Sequence, residues 1–205
     1  MQNSKRLYGC PKKIIGLTGG IATGKSSFSK ILEKNGHEII CADTLVKNIY
    51  KKKETIKFIM KEAPTAIVNE KIVFPKLREL FFSDQLIKTN IEHYIYSNLE
   101  EEFNNELEKI NNEAFIYDVP LLFEKNLTPL VDRTVLIYCP RDVQEKRLCL
   151  RDNISKDIAD KIIMSQISIE DKKEKSDLII HNTGNLDDLE GHYKKTFLPF
   201  YNLLV

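Results

Sequence analysis

Two hydrophobic patterns alternate along the chain. In one, apolar residues follow each other with little interruption, as in KKIIGLTG (residues 12–19), HEIICAD (37–43), EAFIYDVPLLFE (113–124), DRTVLIYCP (132–140) and SDLIIHN (176–182). Such runs read as strands buried on both faces. In the other, apolar positions recur every three or four residues, the mark of a helix with one buried side. SSFSKILEKNG (26–36) places Phe28, Ile31 and Leu32 at that spacing and stops at Gly36. TLVKNIYKKKETIKFIMKEA (44–63) reads as a helix running to Pro64, with Lys51, Lys52 and Lys53 as a solvated face. NIEHYIYSNLEEEFNNELEKI (90–110) carries Ile91, Ile95, Leu99, Phe103, Leu107 and Ile110 as one stripe on a single long helix. Further helices are expected over about 141–151, about 158–165 and at the C-terminus. Helices alternating with wholly apolar strands predict an α/β fold around a parallel sheet.

Candidate chemistry enters where the first strand meets the first helix. Gly19, Gly24, Lys25 and Ser26 satisfy G-x-x-x-x-G-K-[ST], in the strand-to-helix setting that gives this pattern its meaning. Glycines let successive N–H groups turn inward, and the helix start adds unpaired N–H groups and the positive end of its dipole. The expected product is a phosphate cradle. Lys25 would reach the β- and γ-phosphates, and the Ser26 hydroxyl would be a ligand of Mg²⁺.

Two carboxylates stand at the ends of other strands, where an α/β sheet collects its ligands. Asp43 follows the second strand and reads either as a base orienting an attacking hydroxyl or as a helix N-cap. Asp118 ends FIYD and reads either as a holder of Mg²⁺ through water or as an ordinary turn carboxylate before Pro120. Gln144, Arg147 and Arg151 fall within about 60° of one another on a helix. Val143 and Leu150 are expected beside them, which would put the guanidinium groups at the border of the buried side. They read either as a mobile clamp on a transferring phosphoryl group or as a solvated basic face.

Composition narrows the partners. With 31 basic and 30 acidic residues there is no long-range field favouring nucleic acid or a membrane, so an anionic ligand must be held locally. No apolar run approaches the roughly 20 residues that span a bilayer, and MQNSKRLYGCPKK offers no apolar leader, so a soluble cytoplasmic protein is expected. A chain of 205 residues suits one main domain with a smaller excursion. Cys10, Cys41, Cys139 and Cys149 show neither C-x-x-C nor metal-type spacing and read as buried thiols.

GLTGGIATGKSS, CAD, DVPLLFE, QEKRLCLRD and SQISIEDKKEKSDLIIHNTG together resemble the dephospho-CoA kinase family over nearly the whole chain, about 14–197. The P-loop is shared by many nucleotide enzymes, whereas PLLFE after a strand-end Asp and the Q-x-x-R-x-x-x-R spacing are characteristic of this family. The resemblance implies a three-layer α/β/α P-loop NTPase fold with a mostly five-stranded parallel sheet. It implies a core of about 12–63 and 114–205, a helical acceptor-binding insertion of about 64–113 and a lid of about 147–170. Gly19, Ala22, Thr23, Gly24, Lys25, Ser26 and Ser27 would bind ATP phosphates, with Asn182 near the adenine and Mg²⁺ held by Ser26 and Asp118. Asp43 would be the base for the acceptor hydroxyl. His93, Leu121, Leu122 and Glu124 would line the acceptor site, and Arg147 and Arg151 would clamp phosphates. The partners implied are ATP and dephospho-CoA, with no nucleic acid and no membrane, for a monomer or weak homo-oligomer.

Departures from the family pattern fall on the acceptor side and the lid. Cys41 stands where the family has the first Asp of D-A-D, and Lys47 where Arg is usual. Val73 and Phe74 occupy an expected Asp-Arg pair, Tyr94 the Pro after His93, and Ile162 a position that often holds Arg. Two other readings remain open: a P-loop kinase with a different small acceptor, and a nucleotide-switched binding module. The second lacks its usual N-K-x-D segment and a D-x-x-G after a strand.

Overall fold

The structure is a computed structural model that describes residues 6–205; Met1 to Lys5, where the expected leaderless N-terminus begins, lie outside the described residues. The first half of the chain runs β1 (Lys13–Gly19), α1 (Lys25–Lys34), β2 (Ile39–Cys41), α2 (Ala42–Lys51), α3 (Lys53–Glu62), β3 (Ile67–Val68), β4 (Lys71–Ile72), α4 (Phe74–Ser83), α5 (Gln85–Ser97) and α6 (Leu99–Leu107). The second half runs β5 (Ala114–Asp118), β6 (Arg133–Tyr138), α7 (Arg141–Asp152), α8 (Lys156–Met164), α9 (Ile169–Glu174), β7 (Leu178–His181), α10 (Leu186–His192) and α11 (Leu198–Asn202). Two compact units result, one of residues 1–40 and 110–205, the other of residues 41–109.

The first unit is built on a five-stranded sheet in the order β2-β5-β1-β6-β7. β1 pairs in parallel with β5 on one side and β6 on the other, and β6 pairs in parallel with β7. β1 is therefore central: the chain passes from it to β2 and β5 on one side and then crosses over to β6 and β7 on the other. That arrangement opens a crevice at the carboxyl ends of the strands. Both faces of the sheet are covered, which is why its strands are apolar throughout. Side chains alternate across β6: Val135 and Ile137 join Phe28, Ile31, Leu32, Leu189 and Phe197 on one face, while Leu136 and Tyr138 meet Ile169 on the other. Phe28 is fully buried and meets Phe197 edge-on at 5.6 Å. Cutting Phe28 to Ala would cost about 3–5 kcal/mol.

The second unit is helical, with a short antiparallel hairpin of β3 and β4 that the hydrophobic pattern did not foretell. Its core is Ile49, Ile59, Ala63, Ala66, Leu77, Ile91 and Ile95. It takes in α2 and α3, which precede the span of about 64–113 implied by the resemblance.

Two long helices expected from periodicity are each divided. Residues 44–63 break at Lys52, whose ψ is 138°, and its ammonium pairs with Glu102 at 3.0 Å and Glu101 at 3.5 Å. The middle lysine of KKK thus leaves the solvated face to hold the kink, while Lys51 and Lys53 are exposed. Residues 90–110 break at Asn98, whose side-chain amide donates to the Tyr94 carbonyl at 2.8 Å in competition with the helical ladder. The apolar stripe of 90–110 runs through its break in phase, so periodicity alone hides it; past Lys52 the buried side shifts, with Thr55 and Ile59 buried and Met60 exposed.

Candidate active site

The turn after β1 has the backbone of a phosphate cradle. Ala22 and Gly24 have φ of 60° and 90°, and Gly24 caps α1 without a side chain, leaving the first N–H groups of the helix unmet. Inside the turn, the buried Thr23 hydroxyl donates to the Gly20 carbonyl at 2.8 Å. Asn182, just past β7, donates from Nδ2 to the Thr23 carbonyl at 2.7 Å. A Cβ at Gly24 would lie 2.0 Å from that nitrogen, so the left-handed angle and the close approach both demand glycine there. Asn182, placed near the adenine by resemblance, has its side-chain amide braced against the cradle. Its backbone carbonyl accepts from Arg147 Nη1 at 2.9 Å. From the other side, Gln166 Oε1 accepts from the Ile21 amide at 2.9 Å.

Lys25 opens α1 and forms an ion pair with Asp118, the last residue of β5, both largely buried. The other Asp118 oxygen accepts from Ser29 Oγ at 2.8 Å. Strand register sets Asp118 beside Leu17, two residues before the end of β1, so the carboxylate meets the lysine by topology. Asp118 is therefore no ordinary turn carboxylate. Ser26 and Ser27 are exposed on the first turn of α1.

Helix α7 grades from buried to exposed along the expected face. Gln144 is buried and donates to the Cys139 carbonyl at 3.2 Å, Arg147 is half-buried, and Arg151 is exposed and paired with Asp152 at 2.7 Å and 2.9 Å. Leu150, expected at the border of the buried side, is 76% exposed, and Leu148 takes the buried position. Arg147 therefore reaches the cradle through Asn182, while Arg151 holds its neighbouring carboxylate. Of the thiols, Cys10 and Cys139 are buried as expected and are pushed up by that burial. Cys41, the last residue of the edge strand β2 and the N-cap of α2, and Cys149, on α7, are only half-buried.

The loop after β5 places its three expected residues in different surroundings. Leu121 is 37% exposed, whereas Leu122 has no exposed surface and fills the space above Gly16. A Cβ at Gly16 would lie 2.9 Å from Leu122, so this leucine serves as packing under β1. Glu124 pairs through Oε1 with Lys172 at 2.7 Å, and the same oxygen accepts from the Ile167 amide at 3.2 Å. Lys172 is fully buried, and sequence reasoning missed it. The available signal was its position three residues after the buried Ile169, on the same side of α9.

Two expected residues belong to the helical unit. Asp43 is exposed in the first turn of α2, whose N-cap is Cys41. It is therefore not the capping residue, although the helix dipole favours a carboxylate there. His93 is exposed on α5 and lines a hollow of about 340 Å³ with Phe58, Glu62, Asn90, Tyr94 and Ser97. Phe58 and Tyr94 stack at 4.2 Å with their planes 11° apart, and Asn90 donates to Glu62 at 2.9 Å.

A central parallel strand, a glycine-capped helix and a lysine held by the carboxylate of the neighbouring strand define a P-loop kinase fold. The family model for dephospho-CoA kinase matches residues 13–188. The chain is 36% identical to the dephospho-CoA kinase of Fusobacterium nucleatum over 178 residues, covering 86% of this chain and 92% of that one. It is 30% identical to the Arabidopsis thaliana enzyme of the same name over 197 residues, 91% of this chain and 83% of that one. Among solved structures, the dephospho-CoA kinase from Campylobacter jejuni superposes with a TM-score of 0.64 at 26% identity, over 93% of this chain and 98% of that one. TT1252 from Thermus thermophilus superposes with a TM-score of 0.82 at the same identity and coverage. The chain belongs to the dephospho-CoA kinase family.

Proposed function

We propose that this chain transfers the γ-phosphate of ATP to the 3′-hydroxyl of dephospho-CoA, giving coenzyme A and ADP, the last step of coenzyme A synthesis. The observation that carries this reading is the intact cradle with Lys25 poised on Asp118, in a chain matched by the family model over residues 13–188. ATP phosphates would lie against the N–H groups from Gly19 to Ser27, and Lys25 would exchange Asp118 for the β- and γ-oxygens. Asn182 would fix the cradle wall beside the adenine. The exposed Ser26 hydroxyl and the strand-end Asp118 are oxygen donors suited to Mg²⁺, which takes few protein ligands and keeps waters and phosphate oxygens. When bound, the ion supplies neutralisation of phosphate charge.

Asp43 would accept the proton of the attacking hydroxyl as its oxygen bonds to the γ-phosphorus and the bond to the β,γ-bridging oxygen breaks. Its exposure in the first turn of α2 suits contact with a substrate. Arg147 and Arg151 would stabilise charge on the transferring group as the segment of about 147–170 closes as a lid and excludes water. His93, Leu121, Leu122 and Glu124 would serve the acceptor side, and the helical insertion of about 64–113 would carry much of it. No described helix is long and apolar enough to cross a membrane. A cytoplasmic monomer or weak homo-oligomer fits this reading.

The test follows ADP release from Mg·ATP with and without dephospho-CoA while coenzyme A is measured by mass. Both signals should depend on the acceptor, and Asp43→Asn should lower turnover on the order of 100-fold with the fold intact. ADP release indifferent to dephospho-CoA would overturn the proposed acceptor. Full activity in Asp43→Asn would remove its role as base.

A further inference from the structure

The charge buried between Glu124 and Lys172 is costly to bury and is left only partly satisfied. Lys172 Nζ lies 2.7 Å from Glu124 Oε1 as an ion pair lacking the angle of a proper hydrogen bond, and Glu124 Oε2 has no hydrogen-bond partner among the described residues. A lysine with no exposed surface in a six-residue helix is an expensive choice if packing were its only purpose.

Its surroundings show what the pair holds. Residues 166–172 form a block fixed at successive points: Gln166 to the Ile21 amide, the Ile167 amide to Glu124, and the Ser168 hydroxyl to the Asp171 amide at 3.0 Å. Ile169 presses on Gly20, where an added Cβ would lie 3.3 Å from its Cδ1. Glu170 accepts from the Tyr138 hydroxyl at 2.7 Å and pushes that phenol up to about 12. Glu124 lies in the loop that follows Asp118, the partner of Lys25. The connections therefore close a ring: Lys25, Asp118, the 118–124 loop, Glu124, Ile167 and Lys172, Gln166, and Ile21 back in the cradle.

We infer that Glu124 and Lys172 are positioning residues of the phosphate site, their buried pair seating the turn between α8 and α9 so that Gln166 fixes the Ile21 amide in the cradle. Neither need touch nucleotide. The inference deepens the kinase reading and rests on it for its biological sense, but its test reads the cradle without the acceptor.

The experiment compares Lys172→Met, the double variant Glu124→Met with Lys172→Met, and Gln166→Ala alone and in the double background. Thermal stability, affinity for a non-hydrolysable Mg·ATP analogue and amide hydrogen exchange of the 19–25 segment are measured. Lys172→Met strands a buried carboxylate and should lower Tm, whereas the double variant removes both charges and should recover most of that loss. In the double variant the analogue should still bind roughly tenfold more weakly than in wild type. The 19–25 segment should exchange faster while β1 and β6 keep wild-type protection. Gln166→Ala should weaken binding in wild type and add little in the double background, since both changes cut the same ring. Wild-type affinity and exchange in the double variant, or a full added effect of Gln166→Ala there, would overturn the inference and leave the pair as packing. Failure of wild type to form coenzyme A would instead overturn the proposed acceptor, with the analogue measurements standing as they are.

Discussion

The phosphate cradle and the hollow beside His93 are built on opposite plans. Around the cradle, polar groups from distant segments are bound to the turn, the buried Asn182 to Thr23, the half-buried Gln166 to Ile21 and the buried Asp118 to Lys25. Around the hollow, His93 is exposed, the walls are a stack of Phe58 on Tyr94, and Asn90 with Glu62 is the polar contact at its rim. Residues that depart from the family pattern divide the same way. Cys41, Lys47, Val73, Phe74 and Tyr94 lie in the helical unit, Ile162 lies on α8, and none lies in the cradle. A turn braced by side chains from distant segments tolerates few substitutions of those braces, since each strands a polar group. A hollow walled by half-buried aromatics can be rebuilt one side chain at a time.

The largest effect should come from removing the cradle's charge. Lys25→Ala is expected to lower turnover roughly 100- to 1,000-fold, and acceptor-dependent ADP release by folded protein checks it. Residual activity close to wild type would place the decisive charge elsewhere. Asn182→Ala should cost about 1–3 kcal/mol by stranding the Thr23 carbonyl, seen in urea denaturation, and should also weaken ATP binding. An unchanged midpoint would mean that the cradle holds itself.

The hollow should answer differently. Tyr94→Ala removes a stack worth about 1 kcal/mol and should raise KM for dephospho-CoA several-fold while KM for ATP stays put. Equal rises in both would erase the contrast drawn above. The smallest effect concerns His37, which is half-buried against Tyr193, Phe197 and Tyr201 and is lowered from its ordinary value of 6.5 by that burial. The folded chain then binds fewer protons than the unfolded chain just below that value, so stability rises with pH up to about 6.5 and falls on acidification. The slope from one such proton is at most about 1.4 kcal/mol per pH unit. His37→Asn should flatten it in denaturation series run between mildly acidic and neutral pH.

The cradle was legible because its chemistry is written in contiguous residues, Gly19 to Ser27, after an apolar strand. Asp118 was legible as a strand end, though its pairing with Lys25 was not. The brace from Asn182 crosses 159 residues of sequence, and no local pattern announces it. Lys172 looks like one more surface lysine in IEDKKE, and only its phase with Ile169 tells it from the partly exposed Lys173. In the helical unit, hydrophobic phase gave the buried Ile91, Ile95 and Phe103 and concealed the break at Asn98, because a kink that keeps phase leaves the pattern intact, whereas past Lys52 burial moves to Thr55 and Ile59 and leaves Met60 exposed.

On the proposed reading, the contact between Lys25 and Asp118 would also set a threshold on what the cradle admits. An arriving anion must displace a carboxylate from the ammonium rather than merely shed water, so a singly charged visitor gains little by trading one negative partner for another. A polyphosphate spreads several charges over the lysine and the helix N-terminus together and so repays the exchange. On the proposed reading, the lysine's charge is answered by Asp118 before an anion arrives, and the pair would act as a valence filter against weaker anions.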